Sequence, residues 1–134
     1  MALIRWNDSF SVNVGKIDAQ HRKLIDMLNE LHDAMMDGKG RDVLGEILNG
    51  MAEYTVVHFS TEEEFMQKYN YPCYVKHKFE HDQFVNKVSE FKEKFENGQI
   101  SAIEVMKYLS EWLKNHILGS DKRLGDFLNS KGVT

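Results

Sequence analysis

Two pairs of metal-capable side chains, His58 with Glu62 and His77 with His81, each stand four residues apart in this chain. On a helix that spacing places both side chains on one face, so each pair aims at a single point. Imidazole nitrogen and carboxylate oxygen suit iron, zinc, manganese or copper. With no thiolate in the set, soft-metal and iron–sulfur chemistry is disfavoured. Such pairs also occur by chance on solvated faces, so their meaning depends on the elements that carry them.

Those elements read as helices. The chain has one proline, Pro72, and its glycines fall mostly between periodic segments rather than inside them. Residues 1–17 lack sustained periodicity but contain Trp6, Phe10, Val12, Val14 and Ile17, which predicts an extended arm laid over a core. A first helix is expected from Asp18, as N-cap, to just before Gly38, with Leu24, Ile25, Leu28, Leu31 and Met35 as its apolar stripe and His21 on the same stripe. His32 lies three turns further along, roughly 16 Å from His21 at about 1.5 Å per residue. It reads as a histidine at the core edge or surface.

A second helix is expected from about Asp42 to about Tyr69. Its inner face carries Leu44, Ile47, Leu48, Met51, Tyr54, Thr55, His58, Glu62, Phe65, Met66 and Tyr69, and Asn70-Tyr71-Pro72 breaks it. A third carries His77, His81, Phe84, Val88, Phe91 and Phe95 at alternating steps of four and three, the seam of an antiparallel bundle, and closes at Gly98. The fourth opens with a capping box, Ser101 and Glu104. It turns Ile103, Met106, Leu109, Leu113, His116 and Ile117 inward and stops near Gly119. The expected fold is all-α: an antiparallel up-down-up-down four-helix bundle over residues 1–134 as one domain, with an extended N-terminal arm and a short C-terminal helical segment at Asp121 to Leu128.

In that arrangement the starts of odd helices and the ends of even ones share one end of the bundle. His21, His58, Glu62, His77, His81 and His116 therefore meet in one layer. Burying five imidazoles and a carboxylate without partners costs roughly several kcal/mol, which a metal cluster relieves. Six ligands exceed the three or four of a zinc site, so two metals are implied. Asp121 stands about 140° round an ideal helix from His116 and joins the layer only if Gly119 ends or loosens the helix.

Composition narrows the function classes. The 17 basic and 21 acidic residues give a net charge of −4 and no basic stripe for a phosphate backbone, so nucleic acid is not an expected partner. Trp6, Asn7 and Asp8 interrupt any signal-peptide core, and no later segment is apolar long enough to span a bilayer; a soluble, cytoplasmic protein is expected. Cys73 is the single cysteine, which excludes an internal disulfide and reads as an inert loop thiol. Glu63 and Glu64 read as a solvated face.

The sequence resembles the bacteriohemerythrins, prokaryotic members of the hemerythrin family of non-haem di-iron oxygen-binding proteins. The likeness spans nearly the whole chain: Trp6 and Asn13-Val14-Gly15 in the arm, Gln20-His21, His58-Phe59 with Glu62, His77 with His81, and Trp112-Leu113-Lys114-Asn115-His116-Ile117 followed by Asp121. It implies two non-haem irons, one held by His77, His81 and His116 and the other by His21 and His58. Glu62 and Asp121 would bridge them together with an oxo or hydroxo group.

Of about twelve positions on two octahedral metals, these donors leave one open. Dioxygen would bind there, at the iron of His21 and His58, in a pocket walled by Phe59, Trp112, Leu113 and Ile117. Mostly neutral imidazole ligands favour the divalent pair and reversible chemistry. The implied function is reversible dioxygen binding by a monomer, for storage or for delivery to an oxygen-consuming enzyme, rather than catalysis. Reduction of peroxide, nitric oxide or nitrite with an electron donor, or oxygen sensing through a partner, remain alternative uses of the same centre.

Overall fold

The computed structural model describes residues 3–134; Met1 and Ala2, the first two residues of the expected arm, lie outside it. Four long helices, α1 (Gly15–Met36), α2 (Gly40–Lys68), α3 (Tyr74–Glu96) and α4 (Ala102–His116), form the expected antiparallel bundle. A π-helical turn, Ile117–Asp121, carries α4 directly into α5 (Lys122–Ser130). Leu24, Leu28, Leu31, Leu44, Leu48, Met51, Phe84, Val88, Val105 and Leu109 fill the main core, from all four long helices.

Chain reversal uses one device three times. At the ends of α1, α2 and α3 a residue with positive φ, Gly38 (73°), Asn70 (55°) and Gly98 (69°), turns the backbone. The following N–H then reaches back to a carbonyl of the last turn: Lys39 to Ala34 at 2.7 Å, Tyr71 to Met66 at 2.8 Å and Gln99 to Lys94 at 2.8 Å. This is the left-handed helix stop that glycine and asparagine permit.

The arm has no regular structure apart from one 3-10 turn at Asp8–Phe10, and Asn13 turns its backbone with a φ of 58°. Asn29 of α1 clamps it by exchanging two hydrogen bonds with the Ile4 backbone at 2.9 and 2.8 Å. Further along, Val12, Val14 and Ile17 pack with Met66, Tyr71, Leu124 and Leu128 in a second apolar cluster at the site end. The fit there is close: a Cβ at Gly125 would come within 2.4 Å of the Val12 carbonyl oxygen, so only glycine lets α5 lie on the arm.

Three local expectations need correction. Asp18 does not cap α1, which already begins at Gly15; its carboxylate instead accepts from Val12 N at 2.8 Å and Ser11 Oγ at 2.6 Å, fastening the arm. Ile103 points outward at 59% exposure, while Val105, two residues on, is fully buried and Ile100 from the preceding connection closes that end of the core. Nor does the fourth helix stop at Gly119. The backbone widens into the π turn and continues. The Ser101 cap is present, with Oγ accepting from Glu104 N at 3.4 Å.

Candidate metal centre

His21 near the start of α1, His58 and Glu62 near the end of α2, His77 and His81 near the start of α3, and His116 at the end of α4 lie at one end of the bundle, as expected. All are at most 3% exposed, as is Asp121 at 1%. The two carboxylates stand between two groups of imidazoles. On one side Glu62 Oε1 lies 2.9 Å from His81 Nε2, 3.3 Å from His77 Nε2 and 4.0 Å from His116 Nε2. Asp121 Oδ1 faces the same group, 3.0 Å from His77 Nε2 and 3.1 Å from His116 Nε2. On the other side Glu62 Oε2 is 3.6 Å from both His21 Nε2 and His58 Nε2, and Asp121 Oδ2 is 2.8 Å from His21 Nε2.

Each carboxylate thus offers one oxygen to each histidine group. Within each of the two sets, Glu62, His77, His81, His116, Asp121 and His21, His58, Glu62, Asp121, the ligand atoms lie within 4.8 Å of one another. Several of these close contacts are not hydrogen bonds. His21 Nε2, His116 Nε2, Glu62 Oε2 and both Asp121 oxygens are buried without a hydrogen-bond partner. Buried nitrogens and oxygens that converge at 2.8–3.6 Å outside hydrogen-bond geometry are the arrangement a cation completes, and buried polar atoms otherwise find partners. The donor set, five nitrogens and two carboxylates without sulfur, fits iron.

Protonation shows the same charge demand. Burial pushes the His21 imidazolium down, but the Asp121 carboxylate, reinforced by Glu62, overrides it and raises the pKa to about 9. Burial also opposes charge on His77, where the adjacent Asp121 and Glu62 carboxylates, 3.0 and 3.3 Å away, prevail and the pKa again reaches about 9. His116 is raised for the same reason. At His58 burial wins over the attraction of Glu62 and lowers the pKa to about 4. Burial would raise Glu62 and Asp121, yet the imidazoles around them hold both carboxyls well below their usual range. Deprotonated carboxylates are the form a metal needs.

A second layer orients the imidazoles. His58 Nδ1 bonds Gln20 Oε1 at 2.7 Å, and Gln20 Nε2 donates to Thr61 Oγ1 at 3.1 Å. His81 Nδ1 meets Glu63 Oε2 at 2.9 Å, and His116 Nδ1 meets Glu80 Oε1 at 3.0 Å. Glu80 also accepts from Ser120 Oγ at 2.8 Å. Burial would raise the Glu80 carboxyl, but the His116 hydrogen bond, the largest influence, helped by Ser120, holds its pKa down at about 2. Glu63 is therefore not part of a solvated face; its side chain is 23% exposed and turned onto His81. Glu80 escapes sequence reasoning because its partners lie 36 and 40 residues away on another helix, and Gln20 because the amide lies 38 residues from His58. Only an acid or amide flanking an inward histidine hints at either.

Aromatic rings close the site toward the core. Phe59 stacks on His81 at a centroid distance of 3.9 Å and stands 5.7 Å from His58, and Trp112 stacks on His116 at 4.4 Å. Leu113 and Ile117 are buried beside them. His32 is outside both ligand sets, and Cys73 is exposed.

Comparison with known proteins agrees with this geometry. The family described as "Hemerythrin HHE cation binding domain" matches residues 12–128. Bacteriohemerythrin of Stenotrophomonas maltophilia is 39% identical over 126 residues, covering 94% of this chain and 82% of that protein. Bacteriohemerythrin of Methylococcus capsulatus is 37% identical, covering 97% and 100%. A crystal structure of wild-type hemerythrin superposes with a TM-score of 0.85 at 37% identity, covering 93% of this chain and 97% of the other. A match over 117 of 134 positions, with each HHE-type ligand candidate buried at one bundle end, establishes that the chain belongs to the hemerythrin family.

Proposed function

We propose that this protein binds dioxygen reversibly at a pair of non-haem irons, one held by His77, His81 and His116, the other by His21 and His58, with Glu62 and Asp121 spanning both. The observation that carries the reading is the division of each carboxylate's two oxygens between the two histidine groups. A single-metal site would leave one group facing nothing. When bound, the iron pair supplies the electrons for reversible dioxygen chemistry.

The chain's own residues set the conditions. Three imidazoles on one side and two on the other, with shared carboxylates, leave the His21–His58 side with fewer protein donors. That side is where a small ligand would complete the donor set. Phe59, Trp112, Leu113 and Ile117 wall the centre with apolar surface that excludes water and slows loss of a charged product. Gln20 holds the His58 ring in place, so the weaker donor set keeps its geometry. The role we assign to the bound dioxygen is storage or delivery to an oxygen-consuming enzyme; no described helix is long and apolar enough to cross a membrane.

Metal analysis of protein loaded anaerobically with ferrous iron tests the ligand reading. Two irons per chain support it. A preference for one zinc per chain, unchanged by excess iron, defeats it.

A further inference from the structure

The partners of the outer ring nitrogens differ in charge between the two sides of the centre. An imidazole that gives Nε2 to a metal carries its proton on Nδ1 and donates from it. On the three-histidine side, His81 and His116 donate to carboxylates, Glu63 Oε2 at 2.9 Å and Glu80 Oε1 at 3.0 Å, while His77 Nδ1 is buried with no partner. On the other side His58 reaches the neutral amide of Gln20, and His21 Nδ1 is buried with no partner. All formal negative charge in this second layer therefore stands behind one metal position. Glu63 and Glu80 are only 23% and 25% exposed, so water screens that charge only in part.

We propose that Glu63 and Glu80 are positioning residues that separate the two irons in redox potential, an inference that rests on the di-iron reading above. A carboxylate accepting from Nδ1–H makes the imidazole a more electron-rich donor and favours the higher charge state of its metal. The iron at His77, His81 and His116 is then the easier to oxidise, and the one at His21 and His58 stays ferrous to higher potential. Glu80 has a second role. By accepting from Ser120 it ties His116 to the turn that presents Asp121, so one side chain holds two ligands of the same helix in register.

Substitutions that keep the hydrogen bond and remove the charge isolate the effect. Glu63→Gln and Glu80→Gln retain a carbonyl acceptor for the histidine. Each is expected to bind two irons and to shift the ferric-to-ferrous equilibrium of one couple toward ferrous by tenfold or more, about 59 mV for one electron in a potentiometric titration. Gln20→Glu makes the opposite change behind His58 and lowers the other couple, so the gap between couples narrows in all three variants.

Zinc, as a redox-silent probe, separates geometry from charge. Its affinity falls roughly 10–100-fold in Glu80→Ala, with helix content checked by circular dichroism, and stays near wild type in Glu80→Gln. Midpoints in the glutamine variants equal to those of the parent overturn this inference alone, whatever zinc does. A parent chain that takes up no iron pair overturns the di-iron reading and this inference with it.

Discussion

His116 Nε2 and Asp121 Oδ1 face each other at 3.1 Å although the two residues lie five apart on one unbroken helix. Five residues along an ideal α-helix rotate a side chain about 140° away. The π turn over Ile117–Asp121 removes most of that offset, because its wider i-to-i+5 closure brings residue i+5 back toward the face of residue i. A local widening of the backbone thus delivers the seventh candidate ligand.

Gly119 sits inside that turn with helical backbone and open space where a Cβ would stand. Gly119→Ala should therefore keep both metals and leave stability unchanged or raised by about 0.5–1 kcal/mol, the helix-interior cost of glycine. Thermal unfolding and metal content check this. Loss of metal uptake in that variant would mean the turn depends on glycine after all.

The two carboxylates make the metal positions separable by mutation. His58→Ala leaves Glu62, Asp121, His77, His81 and His116 in place, so iron analysis should fall from two per chain toward one. His32, outside both ligand sets, should be replaceable by alanine with iron content and visible spectrum unchanged. Equal losses in the two variants would contradict the single-layer arrangement.

Metal-free protein should respond to pH in two directions. His21 and His77 have folded pKa values of about 9 against an unfolded value near 6.5, so the stability they contribute is fully present below about pH 6.5 and is lost as pH rises through about 9. His58, held down at about 4, acts oppositely: between pH 6.5 and 4 the unfolded chain takes up a proton that the folded site refuses. Thermal unfolding of the metal-free chain should thus show a melting temperature highest near pH 6.5. Bound metal keeps the imidazoles neutral, so the loss toward pH 9 should disappear on loading. A metal-free protein whose stability is flat from pH 6.5 to 9 would contradict the charge assignment.

The bundle and six of the seven candidate ligands were legible in the sequence because both rest on helical periodicity. His58 with Glu62 and His77 with His81 obey the four-residue rule, and antiparallel order then fixes their common level. Asp121 obeyed no such rule, since a π turn leaves no periodic trace. Glu63 and Glu80 were illegible for another reason: each bonds a histidine of a neighbouring helix, and pairing between helices depends on rotation and offset that a stripe of apolar residues does not specify. Ile103 shows the same limit, being displaced outward by a register in which Val105 and Ile100 close the core.

We propose a dinuclear iron centre that takes up and releases dioxygen. Its most direct test is the visible spectrum of the reduced, iron-loaded protein before air, after air and after oxygen is removed again. An absorption that appears with air and vanishes on deoxygenation, through repeated cycles and with two irons per chain, is the predicted result. Irreversible bleaching on first exposure, with turnover of added peroxide or nitric oxide, would contradict it.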